Sequence, residues 1–415
     1  MKELRTFQTS DGINLHCIKD SKFTMDCVSF FVRMELTKEN ATNASLLSYV
    51  LKSGCKEYPS VSALNRRLQE LYGCVMDVFT FKKDCQLVLC LNLQFADMAE
   101  LMPKAFSVAG NVLLSPKMFL NRFPDGDFSN GVYALSKAIQ SLNDNPTQYA
   151  LFRLFEEMCQ DSVNDSVSRS FGLSSDGYLK ELSLITPSSL YSFYSSLITS
   201  APVDVYCVSP KSADEVKACF EKIPFFDMAR KKFEPVGKLK GINTAGRHVS
   251  ESKDLNQTIL ACGYTLGGSD IYAAEVFNEL LSGGGNSLLF ENVRQREGLC
   301  YSVSSKIFPH TGVLAVYAGI DGRNSEKAVS IINECIKKAG SCTEERLTEA
   351  VNSLVSKYSL IPDSPQELTG FCFSCRINSI SPDIDEYINK IRAVTKADIA
   401  SVADSVKEQI IDSLN

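Results

Sequence analysis

Cys372-Phe373-Ser374-Cys375 has the C-x-x-C spacing used in redox and zinc chemistry. No second pair and no histidine accompanies it, and Phe371 and Phe373 make it the apolar face of a helix, so core packing is expected. Ser53 and Lys56 have the S-x-x-K spacing that sets an amine beside a hydroxyl nucleophile, but Gly54 ends the helix this spacing needs. The three histidines, His16, His248 and His310, are far apart, and no two have the helical spacing that presents two imidazoles to one metal. His16 and Cys17 are neighbours on a strand and point to opposite faces, which argues against a Cys–His nucleophile there. Gly283-Gly284-Gly285 precedes a helix, where bare amides can hold a phosphate. It lacks the Lys-Ser/Thr of a P-loop, and no G-x-G-x-x-G is present, so a tight connection between helices is expected.

The elements that would position chemistry come in two similar sets. In the first, alternation through Val28, Phe30 and Val32 predicts a half-buried strand. A helix follows from about Thr42, with Leu46, Leu47, Val50 and Leu51 on one face and a stop at Gly54. A second helix after Pro59-Ser60 carries Leu64, Leu68 and Leu71 to Gly73. Strands Val75–Phe81 and Gln86–Phe95 then form a hairpin about Lys82-Lys83-Asp84.

The second set runs in the same order. It has a strand at Gln257–Tyr264, a helix starting at Ser269-Asp270 and ending at Gly283, and a second helix N-capped by Ser287 and stopped at Gly298. Strands Tyr301–Phe308 and Val313–Gly319 complete it. Gly73-Cys74 and Gly298-Leu299-Cys300 hold matching places, which implies duplication of one α+β unit. The first half continues through helices near Lys104–Leu114 and Thr147–Gln160, a helix capped by Thr186 with Pro187 in its first turn, and a closing strand at Val203–Val208. No full counterpart of that strand is expected in Gln409–Asn415. The charged, glycine-containing stretch from Arg230-Lys231-Lys232 to Gly246 reads as a solvated linker. The expected domains are therefore 1–228, a linker at 229–246, and 247–415.

The totals agree with two domains, since 415 residues exceed what one core usually organises. Hydrophobic residues at 44% and charged residues at 22% are ordinary for a globular protein, and a net charge of −6 argues against a nucleic-acid surface. No run of about 18 apolar residues offers a membrane span, and the polar stretch after Phe7 offers no secretory signal. The fifteen cysteines, several within apolar stretches, behave as small hydrophobes and point to a reducing cytoplasm.

The stretch Gly284-Gly285-Asn286-Ser287-Leu288-Leu289-Phe290-Glu291-Asn292-Val293-Arg294-Gln295-Arg296-Glu297-Gly298-Leu299-Cys300-Tyr301-Ser302-Val303 resembles the C-terminal-lobe signature of the insulinase (pitrilysin) zinc peptidases. That signature is a glycine run, a helix with a characteristic arginine, and G-L-x-Y opening a strand. Arg247 through Asp254 and Gln257 to Gly263-Tyr264 resembles the entry to the same lobe. The resemblance implies an α+β fold of two homologous lobes, each an antiparallel-rich sheet covered by helices, facing across a cavity.

Active members of that family carry H-x-x-E-H on the first helix of the N-terminal lobe. Its two histidines bind Zn²⁺, and its glutamate serves as base for the metal-bound water. Aligned on Gly54, this chain has Ser45 and Tyr49 at the histidine positions and Ser48 at the base position. The family's later glutamate ligand falls near Ala138, judged from Pro146. Neutral hydroxyls are poor zinc ligands and alanine is none. No metal, cofactor or catalytic residue is therefore expected.

Arg294 and Tyr301 remain. By spacing alone they read as a solvated helix residue and a packed strand residue. The resemblance implies instead a substrate clamp, in which an arginine fork holds a peptide carbonyl or carboxylate and a tyrosine hydroxyl polarises a carbonyl. A clamp without zinc implies a non-catalytic subunit that binds peptide beside a zinc-bearing homologous partner as a heterodimer, or pairs with itself. A peptide-binding scaffold with no role in proteolysis, or a peptidase with an unrecognised site, are the alternatives.

Overall fold

The computed structural model describes residues 4–10, 12–142, 144–160, 166–224, 230, 247–253, 255, 257–268 and 270–414, without the side chains of residues 166, 167, 408 and 409. The expected linker 229–246, apart from Arg230, lies outside them, as do Asp254 and Ser269.

Two compact units make up the chain. Met1–Ser141, Ser174–Glu234 and Ser364–Phe373 form the first; Leu142–Leu173, Pro235–Asp363 and Ser374–Asn415 form the second.

The first unit opens with strands β1 (Leu4–Ser10), β2 (Ile13–Lys19) and β3 (Met25–Glu35), then helices α1 (Lys38–Lys52) and α2 (Val61–Glu70). Strands β4 (Val75–Lys83) and β5 (Gln86–Ala96) follow, then α3 (Leu101–Leu114) and α4 (Asp125–Leu142). The β4–β5 turn falls at Asp84-Cys85, one residue beyond the expected Lys82-Lys83-Asp84, with Asp84 in the left-handed region at φ +51°. The next helices, α5 (Pro146–Cys159) and α6 (Ser166–Phe171), belong to the second unit. The first unit resumes with α7 (Leu179–Leu182), α8 (Pro187–Ser200), β6 (Val203–Ser209) and α9 (Ala213–Phe220). Thr186 caps α8 as expected, its hydroxyl accepting from Ser189 N while Ser189 answers with its own side chain, an arrangement contributing about 1 kcal/mol.

The six strands lie in the order β1-β2-β6-β3-β5-β4. Strand β6 is parallel to β2 and antiparallel to β3, and β5 is antiparallel to both β3 and β4. Residues Asp26–Val32 of β3 are buried on both faces, as a central strand requires.

The second unit holds β7 (Arg247–Glu251), β8 (Thr258–Leu266), α10 (Ile271–Ser282), a π-helix (Phe290–Arg296), β9 (Cys300–Phe308) and β10 (Val313–Ile320). Helices α11 (Ser325–Ala339), α12 (Glu344–Leu360), α13 (Pro365–Ile377, whose residues to Phe373 belong to the first unit), α14 (Ile384–Arg392) and α15 (Lys396–Ser405) precede strand β11 (Val406–Leu414). The sheet order is β7-β11-β8-β10-β9. Strand β11 is parallel to β7 and antiparallel to β8, repeating the place of β6 between β2 and β3. This corrects the expected absence of a closing strand: the polar Lys407-Glu408-Gln409 hides the alternation, and pairing on both sides supplies what the pattern lacks.

Helix α5 lies on β8 and β11, with Ala150, Leu154 and Met158 buried along one face. Gly263 of β8 permits this approach, because a Cβ there would come within 2.5 Å of Met158 Sδ. The fold is thus α+β, built from two homologous lobes. Cys372 and Cys375 are buried in α13, and burial pushes the Cys372 thiol up to about 12, so the C-x-x-C packs rather than reacts.

Candidate functional site

Helix α1 is where a zinc-binding face would lie. Thr37 caps it, accepting from Asn40 N, and residues Ala41–Ser48 are all buried. Ser45, only 3% exposed, lies 2.8 Å from Thr80 Oγ1 of β4 and donates to the Ser175 carbonyl at 2.9 Å. Ser48 donates back to the Ser45 carbonyl at 2.8 Å. Tyr49 sits beside Lys52, whose Nζ is 5.0 Å from the ring centre.

The segment Ser174–Tyr178 closes on this face. The Tyr178 amide donates to Thr42 Oγ1 at 3.1 Å, and that hydroxyl donates on to the Lys38 carbonyl at 2.7 Å. Gly177 has φ +93°, and a Cβ there would stand 2.9 Å from Thr42 Cα, so only glycine passes this point without strain. The Ser45 and Ser48 hydroxyls are thus engaged with protein groups. They do not fit Zn²⁺, which takes imidazole, thiolate or carboxylate donors. Among the described residues, no group of three or more His, Cys, Asp or Glu side chains could hold a metal ion. On α4, Gly131 lies close to α1: a Cβ there would come within 3.1 Å of Leu46 and 3.5 Å of Tyr49.

The second region keeps its reactive groups uncommitted. After α10 the chain passes Gly283–Ser287 and winds as a π-helix over Phe290–Arg296. Ser287, expected as an N-cap, instead donates its hydroxyl to the Gly284 carbonyl, while its own carbonyl accepts the Glu291 amide at 2.9 Å. Asn292 and Val293 are buried and anchor the helix, Asn292 donating to the Leu288 carbonyl at 2.7 Å. The widened winding appears in the Glu297 amide, which donates five residues back to Asn292. Gly298, at φ +61°, then turns the chain, and the Leu299 amide bonds to the Val293 carbonyl at 3.0 Å before β9 begins.

This reversal brings the two expected site residues together. The Arg294 guanidinium lies 4.8 Å from the Phe290 ring centre and 5.1 Å from that of Tyr301. Each exposed cation–π contact contributes about 0.5–1 kcal/mol and fixes the fork between two rings. Tyr301 is 82% exposed. Among the described residues, no carboxylate pairs with Arg294 and no protein group bonds the Tyr301 hydroxyl. By contrast, Glu291 ties Arg296 and Arg346 at 2.6 Å each.

Phe290 was not singled out from the sequence, although it stands one α-helical turn before Arg294, where side chains share a face. The π-winding and the Ser174–Tyr178 closure had no sequence signal either.

A duplicated α+β fold with an occupied α1 face and an intact Arg/Tyr motif defines a metallopeptidase homologue without zinc ligands. The chain is similar to the M16 peptidases, the insulinase/pitrilysin family. The family model described as the peptidase M16 inactive domain matches residues 184–354. The chain is 27% identical over 409 residues to the probable inactive metalloprotease YmfF of Bacillus subtilis, covering 95% of this chain and 94% of that protein. Its fold matches a conserved protein of Enterococcus faecalis at a TM-score of 0.90, with 23% identity over 99% of this chain and 98% of that one. It also matches a peptidase M16 inactive domain from Pseudomonas fluorescens at a TM-score of 0.80, with 15% identity over 99% and 98% of the two chains. Together these findings support a non-catalytic role. No helix among the described residues is long and apolar enough to cross a membrane.

Proposed function

We propose that this chain is the non-catalytic subunit of a peptidase pair, binding peptide through Arg294 and Tyr301 and presenting it to a zinc-bearing homologous partner. The observation that carries this reading is the Arg294 fork, steadied by Phe290 and Tyr301 and paired with no carboxylate among the described residues. A structural arginine normally spends its donors on protein acceptors, as Arg153 does on Glu157 and Glu251. An arginine held in place with its donors available suits a peptide carbonyl or carboxylate, and Tyr301 offers a second donor at the same place.

The pair works by division of labour. The partner's metal supplies the activated water, and this chain orients the peptide and donates hydrogen bonds to it. A reducing compartment, the cytoplasm, suits the free and mostly buried cysteines.

The test is reconstitution. The purified chain alone should leave an extended fluorogenic peptide intact, and adding it to a zinc-bearing homologue should raise that homologue's rate. Unchanged hydrolysis on mixing, with every homologue that co-purifies, would overturn the pairing and favour a peptide-binding scaffold instead.

A further inference from the structure

A cavity of about 520 Å³ in the second unit lies between the end of α10, the Gly283–Ser287 connection and α12. Its lining includes Glu279, Gly284, Gly285, Asn286, Arg346 and Glu349. The size is within the range of small-molecule sites, roughly 300–1,000 Å³.

The glycines keep one wall as bare backbone. A Cβ on Gly283 would meet the Glu279 carboxyl carbon at 2.2 Å, and Gly284 at φ +137° has a conformation that side chains rarely adopt. Among the described residues, the amides of Gly284, Gly285 and Asn286 donate to no protein acceptor. Arg346 gives one nitrogen to Glu291 at 2.6 Å, and its other N–H groups meet no described acceptor. Opposite in charge, Glu349 has no ion pair or hydrogen bond among the described residues. Glu279 is neutralised within the wall, accepting from Ser353 and Lys357 at 2.6 Å each. The cavity is thus lined by Arg346, which keeps N–H groups beyond its bond to Glu291, by unengaged backbone amides, and by the unpaired carboxylate of Glu349.

We infer that this cavity binds a short zwitterionic peptide, its α-carboxylate on Arg346 and the Gly284–Asn286 amides and its ammonium on Glu349. Charge-assisted hydrogen bonds at both ends make recognition depend on two free termini, which an internal stretch of peptide lacks. The site is separate from Arg294 and Tyr301 and stands whether or not those residues clamp a substrate.

Titration calorimetry of the full chain with Ala-Ala, Ala-Ala amide and N-acetyl-Ala-Ala tests this. Ala-Ala should bind one per chain, and each blocked form should bind about tenfold more weakly, the loss of one charge-assisted bond. Glu349→Gln, an exposed position with no described partner, should abolish the preference for the free amine alone. Arg346→Gln should abolish the preference for the free acid, with Arg296 still holding Glu291 in that variant. Arg294→Ala should bind Ala-Ala as the unaltered chain does. Absence of saturable binding by the folded chain, equal binding of all three peptides, or loss of binding in Arg294→Ala would overturn the inference.

Discussion

Helix α1 and the π-helix Phe290–Arg296 lie in lobes built on one strand plan, yet they use their polar residues in opposite ways. On α1, Ser45 and Ser48 turn their hydroxyls onto protein acceptors, and Ser174–Tyr178 closes over the face. On the π-helix, the Arg294 fork is braced by rings that take none of its hydrogen bonds. The first region spends its polar groups on packing, whereas the second leaves the Arg294 donors without a described protein acceptor. Loss of metal ligands alone would leave buried groups unsatisfied at a cost of about 1–3 kcal/mol each. Here Ser45 and Ser48 have protein acceptors for their hydroxyls, so they carry no such cost.

The contrast can be broken at several points. Arg294→Ala should lower the rate of the reconstituted pair by about a hundredfold, the usual size for losing one donor to a developing oxyanion. A rate within a factor of about two of the unaltered pair would reduce Arg294 to a surface residue. On the α1 side, Gly177→Val should cost about 3 kcal/mol in urea unfolding, because it combines a disfavoured φ with a Cβ 2.9 Å from Thr42 Cα. Its peptide binding per folded molecule should be unchanged. A neutral effect on stability would mean that Ser174–Tyr178 does not hold α1.

A smaller effect separates the two closing strands. In β6, buried Asp204 is ion-paired with Arg33 at 2.9 Å, whereas in β11 buried Asp412 has an Oδ1 with no described hydrogen-bond partner. Burial raises the Asp412 carboxyl to about 6, against a smaller opposing pull from Arg153. An unfolded aspartate titrates near 3.9. Below about pH 4 both states hold the proton and Asp412 costs nothing. Between about pH 4 and 6 the unfolded chain releases it first, so stability falls, and above that range the full penalty remains. Asp412→Asn should therefore gain about 3 kcal/mol at pH 7 and far less at pH 4, read from denaturant midpoints. Smallest, Phe290→Ala should weaken peptide binding about threefold by freeing the Arg294 fork, near the value of one exposed cation–π contact.

Much of this arrangement could be read from residues alone. The hairpin β4–β5, the Thr186-Pro187 start of α8 and the Gly298 stop all rest on short-range patterns. The stop at Gly54 gave the register in which Ser45, Ser48 and Tyr49 were aligned with the zinc motif. What escaped depends on distant partners. Strand β1 is an edge strand with exposed Arg5, Thr6 and Gln8, and α4 buries only Gly131 and Leu135, so neither shows a clear period. The grouping of Leu142–Leu173 with the second unit follows from how α5 meets β8 and β11, far along the chain. The closure over α1 joins residues 45, 80 and 175, which no local pattern connects. Phe290 gained its meaning only when the π-winding set it beside Arg294.

The most direct test of the central claim is the zinc content of the purified chain, measured by elemental analysis after equilibration with excess zinc and removal of free metal. An occupied, hydroxyl-lined α1 face predicts far less than one zinc per chain, with no peptidase activity from the chain alone. One tightly held zinc per chain, accompanied by hydrolysis without a partner, would contradict the account.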